Sequence, residues 1–257
     1  MNVIHKFNRF ELKYVLSLEQ VKAFKKDLLK YVQVDPHGND GKYRLQSLYY
    51  DTHDYRHYWE KIEWEKFRRK IRLRRYVTDE EFTDESDVFV EIKQRIDRVT
   101  QKRRVIMKYK EAKELLEEWI FPKEFRLQDK EVIDELYHLS TSQRLVPASI
   151  TCYDRQAYFW TENDIWLRVT FDTNIWYMHE NLDLKNAHPE WLMVPPKYCI
   201  LEIKADDKIP YWVTELIANH GFGLIRVSKY CLSLEAAEVF PKSIFNMTPK
   251  ITSLKKV

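Results

Sequence analysis

Residues 70–76 read KIRLRRY. At the two-residue period of a β-strand, Lys70, Arg72, Arg74 and Tyr76 fall on one face, and Ile71, Leu73 and Arg75 on the other. An ordinary half-buried strand turns its aliphatic residues inward and its charge to water. Whether this cationic row is a solvated surface or a surface built for an anion decides how the rest of the chain is read.

The same pattern recurs elsewhere. Arg9, Glu11 and Lys13 alternate with Phe10, Leu12 and Tyr14, and Glu91, Lys93 and Arg95 with Val90 and Ile92. Arg168, Thr170 and Asp172 alternate with Leu167, Val169 and Phe171, and Glu202 and Lys204 with Leu201 and Ile203. A one-sided antiparallel sheet would present such faces to water. Against that reading, the rows mix Glu with Lys at recurring positions, and EIK occurs in both FVEIKQ and ILEIKA. The amphipathic helices are also numerous enough to cover the apolar faces from outside. The expected fold is therefore α+β. An antiparallel sheet of about eight strands closes into a barrel around a charged tunnel, with helices packed outside.

The remaining segments fit this frame. SLEQVKAFKKDLLKYV carries Ser17 as N-cap, Gln20 at the capping-box position and an apolar stripe through Leu18, Val21, Phe24 and Leu28. DPHGNDGK reads as a loop, DYRHYWEKIEW as a short helix, and TDEEFTDESD as a solvated acidic loop. KEAKELLEEWI, DKEVIDELYHLS, YWVTELIANHGF and SKYCLSLEAAEVF read as helices. LVPASITCYDRQAYFW, IWLRVTFDTNIWYM and YCILEIKA read as strands. One domain over 1–240 and a polar tail over 241–257 are expected.

Composition narrows the chemistry. The 257 residues include only four glycines, and neither GxGxxG nor GxxxxGK[ST] occurs. Any phosphate chemistry must therefore rest on side chains. The net charge of +3 conceals 43 basic and 40 acidic residues, so their placement matters more than their sum. Cys152, Cys199 and Cys231 are widely spaced and lack a CxxC, which suits reduced thiols and a cytoplasmic protein without a zinc site. No apolar run is long enough to span a membrane.

The cations Lys13, Arg72, Arg74, Lys93, Arg168 and Lys204, with Lys102 and Arg155 nearby, outnumber the acids among them. Guanidinium forks hold phosphate oxygens bidentately, and ammonium groups act as point charges. Interspersed glutamates suit a hard divalent ion that shares its coordination with phosphates. The ligand expected from the residues is a polyanion such as a triphosphate.

RFELKY, SLYYDT, KIRLRRY, VEIKQR followed by QKRR, CYDRQAY, LRVTFD, LEIKA and SKY occur in the order found in the VTC domain. The chain resembles that family, the polyphosphate polymerase branch of the triphosphate tunnel metalloenzymes and relatives of CYTH proteins, over about residues 5 to 237. The resemblance implies an ATP–polyphosphate phosphotransferase using Mn²⁺ or Mg²⁺. Carried over residue by residue, it implies catalytic roles for Lys13, Arg72, Arg74, Lys93, Arg155, Arg168 and Lys229. Tyr153, Lys102, Lys204 and Ser228 are implied as nucleotide or phosphate contacts, and Glu202, with Glu11 and Glu91, as metal ligands.

The membrane helices and regulatory domain of the eukaryotic subunits have no counterpart in this sequence, and a membrane partner acting in trans is left open. Two alternatives stay open as well. A metal-dependent triphosphatase would use Glu11 or Glu91 to orient water. A nucleic-acid binder would stack bases on Tyr49, Tyr50, Tyr55 and Trp59, although the recurring glutamates disfavour it. His53 and His57 lack a third ligand at obvious spacing and read as packing or surface residues.

Overall fold

The computed structural model describes residues 9–97, 99–162, 165–188, 191–206 and 208–242. Residues 5–8 of the resemblance and residues 243–257 of the expected tail lie outside the described residues. The strands, in chain order, are β1 Arg9–Ser17, β2 Gln33–Val34, β3 Lys42–Asp51, β4 Phe67–Val77, β5 Asp87–Ile96, β6 Val99–Lys108, β7 Val146–Glu162, β8 Ile165–Met178, β9 Trp191–Leu192 and β10 Tyr198–Asp206. The helices are α1 Leu18–Leu28, α2 Arg56–Ile62, α3 Tyr109–Glu117, α4 Lys130–Gln143, α5 Tyr211–Asn219 and α6 Lys229–Ala236.

The eight main strands follow the hydrogen-bonded order β1-β10-β8-β7-β3-β4-β5-β6, with β2 on β7 and β9 on β8. This corrects the expected fold. The sheet is a single open antiparallel sheet, not a closed barrel, because its order does not return from β6 to β1. Period two reports which face of a strand is charged, and it carries no information about whether the outer strands meet. Helices that cover the apolar faces leave the charged faces on the other side of the sheet whether or not its edges meet, and ion pairs such as Arg72–Glu91 and Lys229–Glu202 stabilise those faces without closure.

The chain divides into two compact units. Among the described residues, the first draws on 46–151 and 178–188, and the second on 9–45, 152–177 and 191–242; β3, β7 and the last residue of β8 divide between them.

In the first unit, β4 pairs with β5 and β5 with β6. Ile71, Leu73, Val90, Ile92 and Val105 form a buried apolar face together with Leu48 and Tyr50 of β3. Ala112, Leu115 and Leu116 of α3 and Ile133, Leu136 and Leu139 of α4 cover that face. Arg103 of β6 sits on the same side and is satisfied by a two-pronged bond to Glu135 of α4, at 2.7 and 2.6 Å. The short α2 is held by Asp51 and Thr52, whose side chains accept from the backbone N–H groups of His57, Tyr58 and Arg56.

In the second unit, Ser17 caps α1 and Gln20 completes the reciprocal capping box. Val21, Phe24 and Leu28 of α1 and Val213, Leu216 and Ile217 of α5 pack on Tyr14, Leu16, Val169, Phe171, Leu201 and Ile203. Gly221, at φ +64°, follows the C-cap residue His220 of α5 in the left-handed conformation that ends helices. A separate buried cluster places Leu232 of α6 against Ile175 and Ile200. Among the described residues, no helix is long and apolar enough to cross a membrane.

Candidate functional site

In the first unit the pairing register aligns Lys70 with Lys93 and Lys102, and Arg72 with Glu91 and Arg104, across three neighbouring strands. Alternation therefore gathers these side chains on the face opposite the helices. Glu91 is buried at the centre. Its Oε2 accepts from Arg72 Nε at 2.7 Å, lies 2.6 Å from Arg72 Nη2, and is 3.9 Å from Arg74 Nη1. Its Oε1 meets Lys102 Nζ. Arg72 also donates from Nη1 to Tyr49 OH at 3.1 Å, and Arg74 donates from Nε to Ser47 Oγ at 3.1 Å.

These contacts determine the protonation states. Burial would raise the Glu91 pKa, but Arg72, Arg74 and Lys102 outweigh it and hold the carboxyl far below its usual range. Burial also opposes ionisation of Tyr49, yet Arg72, Arg74 and Lys70 bring its hydroxyl down to about 8. Lys102 is lowered to about 7, first by burial and then by Arg72 and Arg74, against the pull of Glu91.

In the second unit, Lys13, Glu202 and Thr170 stand in register across β1, β10 and β8, beside a second row of Glu11, Lys204 and Arg168. Glu202 is buried among four cations. Lys13 and Lys229 reach its Oε1 at 3.4 and 2.9 Å, and Lys204 and Arg155 reach its Oε2 at 2.8 and 3.4 Å. Asp172, also buried, accepts from Arg155 Nε and Nη2 at 2.6 and 2.7 Å and from Lys229 Nζ at 2.5 Å. Tyr153 lies beneath Arg155 and Lys229, with its ring centre 5.2 and 4.6 Å away. Lys13 Nζ donates to the carbonyl of Val227 at 3.1 Å, tying β1 to the segment that enters α6.

Burial works against the Glu202 carboxylate, but Lys13, Lys204, Lys229 and Arg155 hold it well below the usual range. Burial brings Lys204 down to about 8 despite Glu202. Lys229, opposed by burial, is raised by Asp172 and Glu202. In each unit a carboxylate that stays ionised at neutral pH is surrounded by more cationic groups than it can neutralise, which leaves attraction for a further anion.

The family model described as VTC domain matches residues 8–238. The chain belongs to the VTC domain family. A comparison with curated proteins finds no match. Among solved structures, the chain is similar to a protein described as "a putative adenylate cyclase" from Bacillus halodurans, at 17% identity and a TM-score of 0.47, over 85% of this chain and 92% of that one. Membership places this VTC domain among enzymes of phosphoryl transfer that act on triphosphates and generally depend on a divalent metal.

The described carboxylates of this VTC domain do not form a metal site on their own. Among the described residues, no group of three or more His, Cys, Asp or Glu side chains is placed to hold an ion. Both oxygens of Glu91 and of Glu202 face cationic side chains. A divalent ion would accordingly arrive as part of a metal–triphosphate substrate, with its ligand oxygens coming mainly from phosphates and water.

The predicted residues fall into two groups. Arg72, Arg74, Lys93, Lys102 and Glu91 lie on the charged face of the first unit, and Lys13, Glu11, Tyr153, Arg155, Arg168, Glu202, Lys204, Ser228 and Lys229 belong to the second. Ser228 Oγ accepts from Cys231 N at 3.4 Å and caps α6, which sets Lys229 in its first turn. Glu11 pairs with Lys13 at 3.4 Å. His57 is buried against Gln143 and takes a packing role.

Sequence reasoning missed Asp172 as an anchor for Arg155 and Lys229, and Tyr49 and Ser47 as partners of the arginine pair. It also missed Asp35 and Tyr43, which both contact Arg168 at 2.7 Å. Asp172 alone carried a signal, since it shares the charged row of Arg168 and Thr170.

Proposed function

We propose that this VTC domain is an ATP–polyphosphate phosphotransferase. An oxygen of the terminal phosphate of an inorganic polyphosphate chain attacks the γ-phosphorus of metal-bound ATP. The bond from that phosphorus to the β,γ-bridging oxygen breaks, ADP leaves with the electron pair, and the chain gains one phosphate. The acceptor is already an oxyanion and needs no base. The protein's task is to bring two polyanions together and offset the charge of the transfer. Arg72, Arg74, Lys93 and Lys102 on the first unit are assigned to phosphate oxygens, as are Lys13, Arg155, Arg168, Lys204 and Lys229 on the second. Tyr153 is assigned to the nucleotide. Mg²⁺ or Mn²⁺ enters with the triphosphate.

The observation that carries this reading is the cation surplus built around carboxylates locked in ion pairs. It also favours chain growth over hydrolysis. A water-activating carboxylate works best with a pKa near the working pH, and Glu91, one of the two carboxylates that the hydrolytic alternative would use, is held far below it. A cytoplasmic setting, where ATP and Mg²⁺ are available, agrees with three buried cysteines that form no disulfide. Incubation with ATP and Mn²⁺, followed by gel separation of the products, tests the proposal. We expect ADP with long polyphosphate chains, and their loss in R72A and R155A. Free phosphate as the sole phosphate product would replace this reading with the triphosphatase.

A further inference from the structure

We infer that Asp35 and Tyr43 are positioning residues that fix the guanidinium of Arg168 before ligand arrives; this rests on the assignment of Arg168 to phosphate. Arg168 Nη2 lies 2.7 Å from Asp35 Oδ2 and donates to Tyr43 OH at 2.7 Å. Both contacts use the same nitrogen, so the guanidinium is held at one corner. Its Nε is buried with no hydrogen-bond partner, as is Thr170 Oγ1 two residues along the same strand face. Buried polar groups are normally satisfied, and orphaned ones tend to mark functional surfaces.

Asp35 is itself firmly placed. It is 6% exposed, and its backbone N–H donates to the carbonyl of Ala157 in β7 at 3.0 Å. Its Oδ1 accepts from His37 N at 3.0 Å and lies 2.7 Å from His37 Nδ1, leaving Oδ2 for Arg168. The loop that carries it is pinned at Gly41, at φ +65°, whose backbone carbonyl accepts from Ala157 N at 2.9 Å. A Cβ at Gly41 would come within 2.6 Å of the Ala157 carbonyl oxygen, so only glycine permits this close approach. Residues 35–42, which read in the sequence only as a loop, thus form with Tyr43 of β3 a rigid arm ending on the arginine. Arginine loses considerable rotamer freedom on binding, and a guanidinium oriented in advance spares the ligand that cost.

Titration calorimetry of the full chain with Mg²⁺–tripolyphosphate tests this with R168A, D35A, Y43F, D35N and the D35A/R168A double variant. We expect R168A to weaken binding, D35A to weaken it about tenfold, and Y43F to act in the same direction by a smaller factor. D35N, which keeps an acceptor, recovers part of the loss. In the R168A background, D35A adds less than about twofold. If R168A binds as the unmodified chain does, the phosphate role of Arg168 is wrong. If R168A is weakened but D35A and Y43F are not, the positioning role is wrong. An equal effect of D35A with and without Arg168 also overturns it. Y43F removes only a hydroxyl and decides the question if D35A fails to fold.

Discussion

Glu91 and Glu202 illustrate how residue-scale chemistry differs from what residue type suggests. Both stand where a metal ligand was expected, and both are encircled by side-chain cations. Their folded-state pKa values lie below the unfolded carboxylate value, so the stability they contribute is present above about pH 4.5 and is lost as pH falls further. The lysines have the opposite sign. Lys102 at about 7 and Lys204 at about 8 lie below the unfolded value of 10.5, so the unfolded chain binds more protons between those limits and stability rises with pH there. A bound polyanion would restore the lysine charge. Titration of Mg²⁺–tripolyphosphate at pH 8, in buffers of different ionisation heat, is expected to show net uptake of up to about one proton, reduced in K204M. Binding without proton uptake would show that these lysines do not meet the ligand. Lys13, Arg72, Arg74, Arg168 and Lys204 were legible in the sequence because period two displays them, whereas Lys229, on a helix, came only with the family resemblance. Their partners Asp35, Tyr43 and Tyr49 were not, because those contacts join segments distant in the chain and follow no local period.

At the scale of elements, most of the fold follows from alternation and capping. The limits of β8 coincide with the expected segment, and Ser17 with Gln20 starts α1 as the capping box requires. β6 was not legible. Val99, Gln101, Arg103, Val105 and Met107 do alternate, but Arg103 interrupts the apolar face and the basic run from Lys102 to Arg104 obscures the period. The residue that hides the strand also anchors it, since Arg103 meets Glu135 of α4 with both prongs of its guanidinium. A double-mutant cycle with R103M and E135Q, measured by urea unfolding, is expected to give a coupling of about 1 kcal/mol. Additive single effects would mean that α4 is held to β6 by its apolar side chains alone.

For the whole molecule, the sequence displayed the two-faced character of the strands but not the path of the sheet. Closure depends on whether the outer strands pair, a long-range property absent from any local pattern. The expected barrel gives way to an open sheet with β1 and β6 at its edges. What survives is the assignment of faces: helices cover Ile71 and Leu73 in the first unit and Leu201 and Ile203 in the second, while Arg72 and Glu202 lie on the opposite, charged faces. In the proposed function these faces bind phosphate chains. The most direct test is a crystal structure with tripolyphosphate and Mn²⁺, using the anomalous signal of manganese to locate the ion. Phosphate density is expected against Arg72 and Arg74 or against Arg155, Lys204 and Lys229, with manganese coordinated mainly by phosphate oxygens. Undisturbed ion pairs around Glu91 and Glu202, with the anion bound elsewhere, would contradict the proposed function.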